Sequence, residues 1–111
     1  MLLEGLFGNP TAEKVLLYLE NYGSGYARLI ALNFEIATSQ VQKQLERLER
    51  EGILVSRMLG KTREYQFNPR YSFLKTLRQL LSEALLLLPN DYHLRYFRKR
   101  TRPRRAGKPL P

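Results

Sequence analysis

Ala37-Thr38-Ser39-Gln40-Val41-Gln42-Lys43-Gln44-Leu45-Glu46-Arg47-Leu48-Glu49-Arg50-Glu51-Gly52 is the stretch on which the reading of the chain turns. Val41, Leu45 and Leu48 recur at i, i+4 and i+7, so the stretch predicts an amphipathic helix with those three on one face. Gly52 follows the last turn, where a residue with positive φ often closes a helix. The other face changes along its length. Thr38, Ser39, Gln42 and Lys43 come first, hydrogen-bonding residues with no acid among them. Glu46, Arg47, Glu49, Arg50 and Glu51 follow as a solvated mixture. A helix with a polar, acid-free first half suits the major groove of DNA, where base edges offer donors and acceptors and phosphates repel carboxylates. The competing reading is a plain surface helix held by its aliphatic residues.

Outward from this helix, the flanking segments decide between the two. Upstream, Asn9-Pro10 forms a cap with proline at the first helical position. Ala12, Val15, Leu16, Leu19 and Tyr22 then keep helical spacing from Pro10 to Tyr22. Gly23-Ser24-Gly25 breaks that pattern, and Tyr26 to Leu32 predicts a short second helix with Ala27, Ile30 and Ala31 inward. Asn33-Phe34-Glu35 reads as a tight connection with Ile36 tucked beneath it. Two helices across a short turn, the second polar at its head, make a helix-turn-helix pattern.

Downstream, Ile53 to Met58 and Thr62 to Phe67 are β-prone and flank Leu59-Gly60-Lys61. This predicts a hairpin. Asn68-Pro69 ends it, because proline cannot continue a ladder. Tyr71 to Leu88 predicts a long helix. Its apolar residues Phe73, Leu74, Leu77, Leu80, Leu81, Ala84, Leu85 and Leu88 cover more than one stripe. That excess predicts a second partner, most simply the same helix of another copy, with Leu74, Leu77, Leu81, Leu85 and Leu88 at the interface. Beyond a proline kink, Asp91 to Arg98 continues the helical pattern, with Tyr92, Tyr96 and Phe97 placed to dock on the body.

Charge sharpens the functional reading. The chain has 111 residues and a formal net charge of +9. Residues 1–89 carry a net +2 and residues 90–111 a net +7. Such asymmetry points to a polyanionic partner, most simply nucleic acid. We therefore read residues 6–89 as the folded domain and 90–111 as a basic, flexible tail. From Lys99 onward the tail has little to bury and reads as disordered when free. No cysteine is present, which excludes disulfides, thiolate metal sites and a cysteine nucleophile. It also fits a cytoplasmic protein. The N-terminal residues are too few and too acidic for a signal peptide, and Leu85 to Leu88 is too short to span a bilayer. No phosphate-cradling glycine loop, paired carboxylates or metal-ligand spacing is found, so neither enzymatic activity nor a cofactor is expected.

The order of elements resembles that of the winged helix-turn-helix transcription regulators, especially the ArsR-like (arsenic-repressor type) branch. Leu45, Leu48 and Gly52 followed by Ile53-Leu54 are similar to that family's recognition helix running into the wing. Gly60-Lys61-Thr62-Arg63-Glu64-Tyr65, with Phe67-Asn68-Pro69 after it, resembles the basic wing and its exit. The resemblance covers Leu6 to Leu88. It implies a mainly α fold with a small β-hairpin wing, a long C-terminal dimerisation helix, and a cytoplasmic homodimeric repressor of transcription. It implies no metal: cysteine is absent and His93 is the single histidine.

Under this resemblance Thr38, Ser39, Gln42 and Lys43 of helix 37–51 face base edges in the major groove of double-stranded DNA. Gln42 reads adenine through an amide that both donates and accepts. Arg28, Arg57, Lys61 and Arg63 contact the backbone or the minor groove, the last three from wing 57–63. Basic residues on a hairpin also guard a strand edge. In the tail, Arg100, Arg102, Arg104 and Arg105 are candidates for phosphate contact. Arg100-Thr101-Arg102-Pro103 resembles an AT-hook core, with Thr101 where that motif has glycine. Two other functions compete: an RNA- or ribosome-associated winged helix, and a protein-interaction winged helix using its leucine-rich face.

Overall fold

The computed structural model describes residues 1–98, and residues 99–111 lie outside them. Its architecture follows from a few local decisions. Glu4–Phe7 forms a single turn, α1, closed by Gly8 at φ 69°. The Asn9 side chain then accepts the backbone N–H groups of Thr11 and Ala12 at 2.8 and 3.0 Å. This caps α2, Pro10–Tyr22, as its proline predicts. Val15, Leu16, Leu17, Tyr18 and Leu19 of α2 are all buried. A helix buried on nearly every side is the axis of its domain.

Gly23 closes α2, and Ser24–Gly25 forms a short strand, β1. Helix α3, Ala27–Phe34, ends in a tight reversal at Glu35, which has φ 59°. The Ile36 N–H reaches back to the Ala31 carbonyl at 3.0 Å, and α4, Thr38–Arg50, begins. Val41, Leu45 and Leu48 of α4 are buried, as their spacing predicts. Gly52 has φ 83°, and the Ile53 N–H bonds the Leu48 carbonyl at 3.0 Å. That bond turns the chain into β2, Leu54–Leu59, which pairs with β3, Thr62–Phe67.

The register sets Leu59 opposite Thr62 around Gly60-Lys61. Gly60 has φ 64°, the positive value that tight hairpin turns demand of their first loop residue. Asn68 seals the hairpin's base. Its side chain donates to the Gly52 carbonyl and its backbone N–H to the Ile53 carbonyl, both at 2.9 Å. The sheet is antiparallel in the order β1-β3-β2, so the hairpin gains a third strand that the sequence reading leaves as a break. Ser24 faces Gln66 and Gly25 faces Tyr65. Helix-turn-helix followed by a wing in a small antiparallel sheet is the winged-helix arrangement.

The C-terminal half requires two corrections. Helix α5 runs Leu74–Leu87, after a turn at Ser72 and Phe73. Leu81 and Leu88, expected at a dimer interface, are buried in the chain's own core, at 0% and 5% exposure. Leu74, Leu77 and Leu85 are partly buried and pack against that core. The reason is α2: buried nearly all round, it needs a wide apolar helix as its cover. The leucines left outward are Leu86 and Leu87, 82% and 73% exposed.

The second correction moves the end of the domain from residue 89 to 98. Helix α6, Asn90–Arg95, brings Tyr96 and Phe97 back onto the body. Phe97 is 1% exposed and meets the Phe34 ring at 5.6 Å between centroids. The Tyr22 hydroxyl donates to the Tyr96 carbonyl at 2.9 Å, and the Asn33 side chain donates to the same oxygen at 3.1 Å. No helix among the described residues is long and apolar enough to cross a membrane.

Candidate nucleic-acid interface

Successive residues of α4 are 100° apart, so its side chains fall into rows. Thr38 and Gln42 share the row beside the wing. Ser39 and Lys43 lie on the next row, turned furthest from the buried leucines. Thr38, Ser39 and Lys43 are exposed and Gln42 is half-buried. The fold brings Thr38 and Gln42 together with Arg28 of α3 and with Lys61 and Arg63 of the wing around one open groove of about 560 Å³. Tyr26, Leu29 and Leu32 contribute its apolar wall. Residues from separate parts of the sequence thus share a concave, cationic surface. Lys43 sits elsewhere: with Gln40 and Gln44 it lines a second cleft against Asn9 and Thr11 of the α2 N-terminus.

Gln42 is held in place. Its side-chain amide donates to the Glu46 carboxylate at 2.8 Å and to the Tyr65 hydroxyl at 3.2 Å. Tyr65 is 1% exposed, so one anchor comes from the core. Both amide hydrogens are engaged and the amide oxygen is left to accept. This departs from the sequence expectation of an amide free to donate and accept to adenine. The i, i+4 spacing of Gln42 and Glu46 was legible in the sequence. The cross-strand position of Tyr65 was not.

The wing cations divide. Lys61 and Arg63 are exposed. The Arg63 guanidinium donates to Ser56 Oγ at 2.9 Å, and Ser56 in turn donates to Glu49 at 2.7 Å, which steadies the wing against α4. Arg57 pairs with Glu64 across the ladder at 3.5 Å, and Glu64 also accepts from Ser24 at 3.1 Å. Arg57 is thereby partly neutralised and sits on the edge strand β2. Among the described residues, Arg28, Lys43 and Lys61 are in no ion pair. Arg100, Arg102, Arg104 and Arg105 lie outside the described residues.

The described residues contain no group of His, Cys, Asp or Glu able to hold a metal ion. Gln44, 7% exposed, accepts from Arg47 at 3.0 Å and serves packing, not reading. Burial pushes the Tyr18 hydroxyl up to about 12, with Tyr22 and Tyr26 adding to the effect. Tyr18 therefore stays protonated beneath the site.

The fold is similar to that of the YusO protein of Bacillus subtilis, determined by X-ray crystallography. The TM-score is 0.55 at 20% identity, covering 83% of this chain and 73% of that one. At that identity the likeness concerns the fold. No protein-family model matches the chain, and no curated protein matches it.

Proposed function

We propose that the protein is a sequence-specific, double-stranded-DNA-binding regulator of transcription that acts in the cytoplasm as a dimeric repressor. Its sequence resembles that of the ArsR-like branch, without metal-sensing ligands. One observation carries the reading: Arg28, Thr38, Gln42, Lys61 and Arg63, from three separate elements, converge on one cationic groove. A groove bounded by a helix and a hairpin suits a duplex whose major groove takes α4 while the wing lies on the backbone or in the minor groove. The exposed Leu86 and Leu87 at the end of α5 supply an apolar contact for a second copy. In a twofold dimer the α4 helices would enter successive major grooves about 34 Å apart.

The test is selection of bound duplexes from a random pool, followed by competition with structured RNA at moderate salt. Enrichment of one two-part sequence, retained against RNA, is the expected result. Equal affinity for every duplex would refute sequence-specific binding. Preference for RNA would favour the ribosome- or RNA-associated alternative. RNA binders stack bases on exposed aromatic rings, and the candidates Tyr92, Tyr96 and Phe97 are packed: Phe97 is 1% exposed, Tyr96 lies 5.2 Å from the Phe34 ring and Tyr92 5.9 Å from Tyr96.

A further inference from the structure

Opposite the buried Val41, Leu45 and Leu48, the outermost ridge of α4 is Ser39, Lys43, Glu46 and Arg50, all exposed. A carboxylate thus stands in the middle of the face that the reading above sets into the major groove. Phosphates repel it, so it weakens binding to any duplex unless a base compensates. Among the described residues Glu46 has no cation within ion-pair distance. It accepts instead from the Gln42 amide at 2.8 Å. That amide spends its other hydrogen on the Tyr65 hydroxyl at 3.2 Å. Glu46 and Gln42 together therefore present oxygen acceptors and no donor. Lys43, next to them on the ridge, presents donors only.

The major-groove edges sort against this pattern. Only the amino groups of cytosine (N4) and adenine (N6) donate there. Adenine sets its N7 acceptor beside N6, and the Gln42–Glu46 pair has no hydrogen left for it. Cytosine offers its amino group without an acceptor on the same base edge. The guanine O6 and N7 across or beside it suit the Lys43 ammonium. Thymine O4 or guanine O6 facing Glu46 would set acceptor against acceptor, which is discrimination by penalty.

The geometry points to Glu46 as a specificity-determining residue that, with Gln42 as its brace, reads the N4 amino group of cytosine in a C·G base pair. This rests on the DNA-binding reading above, and the test separates the two. The full chain is used to select an operator from random duplexes. Affinities are then measured for every single-base-pair change of that operator, with the unaltered protein, Glu46→Ala and Glu46→Gln. The unaltered protein should lose on the order of tenfold or more when one C·G pair becomes T·A. Glu46→Ala should shrink that loss to about twofold or less at the same position. It should also bind the altered duplex more tightly than the unaltered protein does, because a repelling charge is gone. Glu46→Gln, which keeps the shape and gains a donor, should move the preference toward adenine. If both variants keep the unaltered ranking at every position while that ranking is strong, the role of Glu46 is overturned and the DNA reading stands. If the unaltered protein ranks all duplexes alike, both fall.

Discussion

Glu35 holds a φ of 59° at the turn between α3 and α4, a left-handed conformation that costs a side-chain-bearing residue roughly 1 kcal/mol. Its pairing with Arg95 at 3.4 Å offsets little, since the two side chains are 70% and 61% exposed. Glu35→Gly should therefore stabilise the protein by about 0.5–1 kcal/mol, read as a higher midpoint in urea; no change or a decrease would refute the strain. Tyr18 gives a pH-dependent counterpart. Its folded value lies near 12, above the ordinary tyrosine value of 10.0, because burial disfavours the phenolate. Its contribution is thus complete below pH 10 and is lost as pH rises toward 12. Denaturant midpoints measured from neutral pH upward should fall in that window, and Tyr18→Phe should flatten the fall. Both residues were visible in the sequence, but neither effect was. A positive φ at a glutamate and a buried hydroxyl arise from how neighbouring segments close on them.

At the scale of elements, β1 is the instructive case. Gly23-Ser24-Gly25 looked like a break because two glycines interrupt the helical spacing. A strand this short has no alternation to detect, and it exists because β3 offers a free ladder edge. Gly25 is required there: a Cβ would lie 2.7 Å from Cε1 of Tyr18, whose ring packs against Tyr22 and Phe34. Gly25→Ala should cost about 1–3 kcal/mol, while Gly23→Asn, at a helix end, should cost less. Comparing the two thermal melts decides it; equal melts would discount the close approach. The wing answers to a different measurement. Lys61→Ala and Arg63→Ala should each weaken binding to all duplexes alike and lower the slope of log affinity against log salt by about 0.9. Arg57→Ala should change it less, because Glu64 already shares that charge. A sequence-dependent loss in Lys61→Ala would contradict backbone anchoring. The wing's strands and turn were plain from β-prone runs around a glycine. The sharing of Arg57 was hidden, since only the register sets it opposite Glu64.

The whole molecule closes on itself through Phe97, and two truncations separate what the C-terminal residues do. Ending the chain after Arg98 removes six basic residues and leaves the Phe97 anchor. The melt should stay put while DNA affinity becomes less salt-dependent. Ending it after Pro89 also strips the core of Phe97 and should cost about 3–5 kcal/mol. Equal melts for the two truncations would return the domain boundary to residue 89. The proposed dimer is probed by Leu86→Lys with Leu87→Lys, which should shift sedimentation toward the monomer and leave the fold intact, whereas Leu81→Lys should unfold the chain. Local pattern by itself determined the helices α2 to α5, the hairpin and the polar head of α4, because spacing, caps and turn glycines act within a few residues. Only the tertiary structure decided which leucines of α5 cover α2, that the docking of the C-terminal aromatics buries Phe97 fully and leaves Tyr96 packed against the core, and that Gln42 turns its amide hydrogens toward Glu46 and Tyr65. Those outcomes depend on contacts between residues far apart in the chain, such as Tyr22 with Tyr96, 74 positions away, and sequence spacing carries no record of them.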